Sequence, residues 1–186
     1  MELKMKKIES YADTAIVWSK RSTCTRKQVG AVIFDTDSDR LLAIGYNGTV
    51  SGLVHCNELF EYHSDINKFY IHGKVNDFLD NTEIDNDCFW HSVNERKFKE
   101  LHHIFSEQYE VHSEQNALLN MVHTGTKKSS NMGIVCTLEP CLNCAKLIIG
   151  AGIKHVWYME KYDRATYDIK QYFERAGVTC EEFIWQ

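Results

Sequence analysis

The chain has 186 residues, a net charge of −5 at pH 7, and 44% hydrophobic and 25% charged residues. This length predicts a single domain that buries about 70% of the surface of the unfolded chain. The acidic balance argues against nucleic acid as a partner, because surfaces that bind nucleic acid are usually basic. Every apolar run is shorter than the about 20 residues that a membrane span needs, so we expect no membrane partner.

The N-terminus and the cysteines indicate the compartment. The first residues are charged and lead directly into an amphipathic segment, which predicts that no secretory signal is present. The chain has seven cysteines, an odd number, and two of them stand in a Cys-x-x-Cys pair. The sequence therefore predicts reduced thiols in the cytoplasm and not a disulfide framework.

The N-terminal part of the chain predicts a helix and a β-hairpin. Apolar residues recur near the helical period over residues 8–20, which predicts a helix. A β-branched run at 29–34, a turn cluster at 35–39 and an apolar run at 41–44 together predict two antiparallel strands. Residues 51–110 mix charged, aromatic and histidine side chains without a clean period, so we expect an irregular insertion there.

The C-terminal part of the chain predicts alternating helices and strands. The predicted helices cover residues 113–121, 141–149 and 168–175, and the predicted strands cover residues 132–138, 156–159 and 178–183. Strands that alternate with helices after a hairpin are typical of an α/β fold. We therefore expect one domain over residues 1–186, a three-layer α/β/α sandwich with a mixed sheet of about five strands.

One histidine and the Cys-x-x-Cys pair form a candidate zinc site. His112 stands at the start of a predicted helix, and Cys141 and Cys144 lie one turn apart at the start of another. Helix N-termini favour the thiolate forms that bind zinc. Three protein ligands with a fourth position open to water are typical of catalytic zinc. Glu114 is predicted to carry protons beside that water and not to be a ligand.

Two other interpretations of this motif remain open. A zinc knuckle would take a fourth ligand from elsewhere in the chain, although a zinc ribbon would need a second Cys-x-x-Cys pair. A redox-active Cys-x-x-Cys pair is the other alternative, but it would leave the His-x-Glu motif at His112 and Glu114 without a role. Both alternatives therefore explain less of the sequence than a catalytic zinc site.

These motifs resemble the signature of the zinc-dependent nucleobase deaminases. The wider sequence is similar to the phage-type deoxycytidylate (dCMP) deaminases. The similar blocks, which appear in family order, are residues 24–33, 45–48, 52, 55–58, 111–117 and 158–163. The chain departs from the family at Ser113, where alanine is usual, and at Glu139, where serine or threonine is familiar before the proline.

The resemblance implies a cytidine deaminase-like fold and zinc-dependent hydrolysis of dCMP to dUMP and ammonia, which supplies dUMP for thymidylate synthesis. It also implies a homo-oligomer, most simply a hexamer, that dCTP with Mg²⁺ activates and dTTP inhibits. The expected location is the cytoplasm, or the host cytoplasm if the chain is viral. Three alternatives stay open: a deaminase of both dCMP and dCTP, a polynucleotide base deaminase, and a non-catalytic zinc module.

The family pattern also suggests contacts with nucleotides. Arg26 and Asn47 are candidates for phosphate, sugar or effector contacts, and the alternatives are a surface cation and a turn residue. Tyr158 and Tyr162 are candidate walls for the base, with core packing as the alternative. The backbone N–H of Ser113 is a candidate donor to the pyrimidine O2.

A second, structural zinc site is implied by the same resemblance. Cys24, Cys56, His102 and Glu110 coincide in position with such a site in phage-type members of the family. Two thiols, an imidazole and a carboxylate would make a closed, non-catalytic set. His103 is an alternative ligand to His102. The interpretation without a metal is that the two thiols are simply buried and the histidines exposed.

Overall fold

The computed structural model describes residues 2–162 and 167–184. Contacts within the chain divide it into two compact units. The sheet unit comprises Met1–Ser22, Val29–Asn47 and His112–Gln186, and the small unit comprises Thr23–Gln28 and Gly48–Val111. Among the described residues, every helix falls short of the length and apolarity that crossing a bilayer requires.

The described residues form six α-helices and ten β-strands, with one 3-10 turn at Gly73–Asp77. In chain order they are α1 (Glu2–Ser19), β1 (Gly30–Asp35), β2 (Leu41–Tyr46), β3 (Gly48–Thr49), α2 (Cys56–Leu59), β4 (Phe60–His63), β5 (Lys68–His72), β6 (Trp90–Val93), α3 (Glu95–Tyr109), β7 (Glu110–Val111), α4 (Ser113–His123), β8 (Met132–Leu138), α5 (Leu142–Ala151), β9 (His155–Glu160), α6 (Ile169–Arg175) and β10 (Thr179–Glu182).

The sheet unit is built on a mixed sheet of five strands, as the sequence predicts. The strand order is β10-β9-β8-β1-β2. β1 is antiparallel to both β2 and β8, whereas β8, β9 and β10 are parallel to one another. The hairpin predicted from the runs at 29–34 and 41–44 is therefore confirmed. Its turn is closed by Asp35, whose carboxylate accepts the N–H groups of Asp37 and Ser38.

Helices cover both faces of this sheet, which confirms the three-layer α/β/α sandwich. One face packs against α1 through the buried residues Ile8, Tyr11, Ala12, Ala15, Val32, Phe34, Val135, Trp157 and Phe183. The apolar residues of α1 recur at the spacing of one helix face. The other face packs against α4, α5 and α6 through residues that include Ile33, Ile134, Ala117, Ile148 and Phe173.

Most predicted element bounds of the sheet unit agree with the structure within two residues. The exception is α1, which begins at Glu2 although the apolar pattern begins at Ile8. Residues 2–7 are Glu, Lys, Leu and Met, which are strong helix formers, so the helix includes them although the apolar pattern begins later. Periodicity detects the face that packs, whereas propensity extends the helix beyond that face.

The small unit contains regular structure where the sequence predicts an irregular segment. A three-stranded antiparallel sheet has the order β4-β5-β6, and β3 pairs with β7. Phe98, Leu101 and Phe105 of α3 are buried in a separate core with residues of this sheet. The strands are only four or five residues long and mix histidine and aromatic residues with charges. Such short strands are difficult to recognise from periodicity alone.

Candidate active site and metal centres

The N-terminus of α4 places His112 and Glu114 together. His112 is the N-cap residue of the helix, and its backbone N–H donates a 2.8 Å hydrogen bond to Gln115 Oε1. This interaction is the return half of a capping box and fixes where the helix begins. Ser113 and Glu114 follow in the first turn and are 0% and 4% exposed. The sequence therefore places a carboxyl group in the protein interior two residues after the histidine.

Close packing on β2 holds α4 in position. A Cβ atom added at Gly45 would lie 2.2 Å from the carbonyl oxygen of Ser113 and 2.3 Å from the backbone nitrogen of Ala117. The side-chain amides of Asn116 and Asn120 donate to the carbonyl oxygens of Tyr46 and Ile44, at 2.7 and 2.8 Å. Hydrophobic periodicity does not predict these contacts, although two asparagines four residues apart on one helix are a usable signal for such a role.

Replacement of Gly45 by alanine is expected to displace α4 and with it His112 and Glu114. The added methyl group would overlap backbone atoms, which cannot move as a side chain can, so we expect a loss of about 3 kcal/mol in the free energy of unfolding, at the upper end of the usual range for overpacking. Thermal unfolding and zinc content would measure the effect. Gly150→Ala is the matched control, because its Cβ would meet no described atom within 4 Å. Wild-type stability of Gly45→Ala would contradict the packing argument.

The N-terminus of α5 brings the two cysteines to His112. Cys141 is the N-cap residue, and Cys144 lies in the first turn. His112 Nδ1 is 3.6 Å from Cys141 Sγ and 3.4 Å from Cys144 Sγ, and the three ligand atoms lie within 4.8 Å of one another. A sulfur and a nitrogen that share one tetrahedral zinc are about 3.6 Å apart. The spacing and the donor types therefore fit zinc.

The electrostatics of the site suit metal binding and proton transfer. The hydrogen bond with Cys144, with a smaller contribution from His112, lowers the pKa of Cys141 to about 4, so this thiol is readily present as the thiolate. Burial raises the pKa of Glu114, while the nearby His112 charge and a 2.9 Å hydrogen bond from Ser113 Oγ to Glu114 Oε2 oppose the shift. Glu114 can consequently hold a proton at a higher pH than a surface glutamate.

The candidate nucleotide contacts occupy different environments. Tyr158 is 4% exposed within the core, and burial raises its pKa to about 12. Tyr162 is half-buried, and its backbone N–H donates to Glu139 Oε2 at 3.0 Å. Asn47 is buried, and its Oδ1 accepts the backbone N–H of Val29 at 2.8 Å. Asp163, the last residue of the block that begins at Tyr158, lies outside the described residues.

Arg26 belongs to the small unit and precedes β1 in the chain. The residue is half-buried, and it makes interactions within the protein.

The small unit holds a second cluster of metal-binding side chains. Cys24, Cys56 and His102 are all buried, and His102 Nε2 is 3.5 Å from Cys24 Sγ and 3.3 Å from Cys56 Sγ. These distances also match the about 3.6 Å expected for two ligands of one zinc ion. The hydrogen bond with Cys56, with a contribution from His102, lowers the pKa of Cys24 far below its usual value. The donor set fits zinc here as well.

The structure distinguishes His102 from its neighbour. The His102 ring packs against the rings of Phe60 and Phe98, at centroid distances of 5.2 and 6.0 Å. The side chain of His103 is 53% exposed and lies 3.6 Å from Glu107. Because consecutive residues of a helix point in different directions, only His102 joins the two cysteines.

Glu110 lies near this cluster but outside the group of three whose ligand atoms are within 4.8 Å of one another. Its Oε2 accepts a 2.7 Å hydrogen bond from Ser106 Oγ. Its Oε1 is buried and has no hydrogen-bond partner among the described residues. Burial raises the pKa of Glu110, and the negative charge of Cys24 raises it further. The carboxyl group is therefore close enough to Cys24 to respond to its charge.

The fold and the site together define a class of protein. An α/β/α sandwich that carries a histidine and a Cys-x-x-Cys pair at two helix N-termini, with a buried glutamate beside them, has the features of a zinc-dependent deaminase. The family model described as the cytidine and deoxycytidylate deaminase zinc-binding region matches residues 5–160. The chain belongs to this family, which confirms the resemblance that the sequence motifs indicate.

Individual relatives agree with this assignment. The chain is 33% identical to ComE operon protein 2 of Bacillus subtilis over 162 residues, 87% of this chain and 63% of that protein. It is 32% identical to the deoxycytidylate deaminase of Homo sapiens over 180 residues, 95% of this chain and 79% of that protein. The crystal structure of the dCMP deaminase from the cyanophage S-TIM5 in complex with dCMP and dUMP matches with a TM-score of 0.59 and 28% identity, over 94% of each chain.

Proposed function

We propose that this protein catalyses the hydrolytic deamination of dCMP to dUMP and ammonia, and so supplies dUMP for thymidylate synthesis. The observation that carries the proposal is the buried Glu114 beside the group formed by His112, Cys141 and Cys144. A purely structural metal site has no use for such a carboxyl group. The choice of dCMP is supported by the human and cyanophage relatives that are named as enzymes acting on it.

The side chains of the site divide the chemistry between them. His112, Cys141 and Cys144 would hold a zinc ion, which when bound makes a water molecule nucleophilic at neutral pH. Glu114 takes a proton from the water that attacks C4 and passes a proton to N3 of the ring. It then takes the second proton from the hydroxyl now attached to C4 and passes it to the amine, which leaves as ammonia while the C4 carbonyl forms. Burial keeps bulk water from competing for this proton.

Substrate contacts are proposed at the positions that the family pattern indicates. The backbone N–H of Ser113 is a donor to the pyrimidine O2, and Asn47, Tyr158 and Tyr162 are candidates for sugar and base contacts. Arg26 is proposed to bind a nucleotide phosphate, of the substrate or of an effector, because its planar guanidinium pairs well with phosphate oxygens.

The second zinc is proposed to be structural. Cys24, Cys56 and His102 would hold it with Glu110 as the fourth ligand, and a closed set of four leaves no position for a reacting water. The support is the close approach of the first three side chains and the buried Glu110 oxygen that lacks a partner among the described residues. Such a metal would stabilise the small unit, which has only a modest core of its own.

Regulation and assembly are proposed from the family resemblance. We expect activation by dCTP with Mg²⁺, inhibition by dTTP, and a homo-oligomer, most simply a hexamer.

We also propose that residues 1–186 work as one deaminase domain with 51–110 as an insertion, since the family model spans that segment. A cytoplasmic location is supported by the cysteines, none of which is in a disulfide within the described parts of the chain.

Ammonia release tests the proposed function. The zinc-loaded protein is assayed with dCMP, dCTP, CMP, deoxycytidine and single-stranded DNA, each with and without the effectors dCTP–Mg²⁺ and dTTP where these are not the substrate. We expect turnover of dCMP that rises with dCTP and falls with dTTP. Comparable turnover of dCTP would instead identify an enzyme with both substrates. Absence of turnover with every mononucleotide would refute the assignment of the substrate.

A further inference from the structure

The C-terminal end of α3 contains three polar residues at intervals of four. His102, Ser106 and Glu110 follow one another at this spacing, which places them along one side of the helix and its exit. His102 is a member of the second cysteine and histidine cluster. The carbonyl oxygen of Ser106 accepts the backbone N–H of Glu110, the C-cap residue, and the Ser106 hydroxyl donates to Glu110 Oε2 at 2.7 Å. Ser106 therefore holds Glu110 at two points.

The two oxygens of the Glu110 carboxyl group differ in their surroundings. Oε2 is satisfied by Ser106, whereas Oε1 is buried without a hydrogen-bond partner among the described residues. A buried oxygen that lacks a partner is costly, because it loses its bonds to water and gains none in return. A metal ion held by Cys24, Cys56 and His102 would remove this cost. The hydrogen bond from Ser106 leaves Oε1 as the oxygen that can bind it.

We propose that Ser106 is a positioning residue for the second metal centre, which holds Glu110 by Oε2 so that Oε1 serves as the fourth ligand. This inference rests on the proposed second zinc. Ligating carboxylates are commonly hydrogen-bonded by residues behind them, and loss of such a partner weakens metal binding by about 10–100-fold. Without the Ser106 hydroxyl, nothing would hold the Glu110 side chain in place before the metal binds. Metal binding would then have to order this side chain, which lowers the affinity.

Thr49 offers a competing explanation of the buried Glu110 oxygen. Thr49 lies opposite Glu110 in the β3–β7 pair, and its hydroxyl is also buried without a partner among the described residues. A rotation that joined the Thr49 hydroxyl to Glu110 Oε1 would satisfy both groups without a metal. The Thr49→Val variant separates the two explanations, because it removes that hydroxyl and keeps a similar shape.

The test measures metal binding in the full chain and not activity. Cys141 and Cys144 are both replaced by serine, so that the second cluster alone can retain zinc tightly. Zinc content after gel filtration, the dissociation constant from chelator competition and the absorption spectrum of the Co²⁺ form are then compared. We expect one zinc per chain in this parent. Ser106→Ala should weaken binding by about 10–100-fold, whereas Ser106→Thr, which keeps a hydroxyl, should stay within about threefold of the parent.

The possible outcomes separate the inference from the proposal on which it rests. A parent without zinc would overturn the second metal centre and the role of Ser106 with it. A parent that binds zinc and a Ser106→Ala variant of equal affinity would overturn the role of Ser106 alone. A zinc-free parent that Thr49→Val destabilises would show that Glu110 Oε1 is satisfied by Thr49 and not by a metal. Ser10→Ala, a serine to alanine change in α1, controls for the substitution. If Ser106→Ala does not fold, Glu110→Gln takes its place, because it removes the charge of the proposed fourth ligand. Unchanged zinc affinity in Glu110→Gln would overturn the role of Glu110 as a ligand and the role of Ser106 with it.

Discussion

Replacement of Glu114 by glutamine is expected to lower kcat for dCMP by about 10²–10⁴-fold and to leave the zinc content unchanged. Glutamine has almost the same shape and can still accept the hydrogen bond from Ser113, but it cannot take a proton from water. The side chain is buried beside His112 and Cys141, the proposed zinc ligands, so no water chain from the surface replaces it easily. Steady-state ammonia release and metal analysis on the same sample would measure both properties.

An exposed glutamate provides the control for this experiment. Glu174 lies on the solvent side of α6, and Glu174→Gln should keep the wild-type kcat. If Glu114→Gln retained its zinc and deaminated dCMP at the wild-type rate, the proton-carrying role would belong to another group. Loss of zinc together with activity would instead show that Glu114 supports the metal ligands.

Replacement of His102 by alanine is expected to remove one zinc per chain and to lower the free energy of unfolding by at least about 3 kcal/mol. The ring is 3% exposed, lies within reach of two thiols and packs on Phe60 and Phe98. The variant would therefore lose a metal ligand and a buried ring at once. For a chain of this size the melting temperature should fall by at least about 6 °C.

His103→Ala is the matched control for the second zinc, because it removes an exposed imidazole from the next position of the same helix. This change should keep both zinc ions and alter stability by no more than about 0.5 kcal/mol. A chelator distinguishes the loss of the metal from the loss of the buried ring. Removal of zinc should destabilise the wild-type protein much more than His102→Ala, because that variant already lacks the second zinc. Equal sensitivity of these two proteins to the chelator would argue that the cluster holds no metal.

The sequence was most informative where structure depends on neighbours along the chain. The strand at 132–138 has the predicted bounds, since its apolar run is continuous and a turn precedes it. The N-termini of α4 and α5 were also predictable, because capping depends on residues within one turn of the helix. The ligand types of the first candidate zinc site follow from side-chain chemistry, whereas those of the second are implied by the family resemblance.

Other features depend on residues that are far apart in the chain. The sequence left His102 and His103 as alternatives, and only the packing of α3 against Phe60 selected one. Periodicity did not reveal the short strands of the small unit. Their own hydrophobic patterns are weak, and they are stabilised by pairing with one another. The contact between Gly45 and α4 joins segments about 70 residues apart, and no local pattern encodes it.

The amino-acid sequence by itself determined the layered α/β fold, the family and the three candidate ligands beside Glu114, because each of these depends on local period or on residue chemistry. Only the tertiary structure decided which histidine joins Cys24 and Cys56, and which Glu110 oxygen Ser106 holds. Those choices depend on the direction in which each side chain leaves its backbone. That direction is fixed when helices and strands pack against one another.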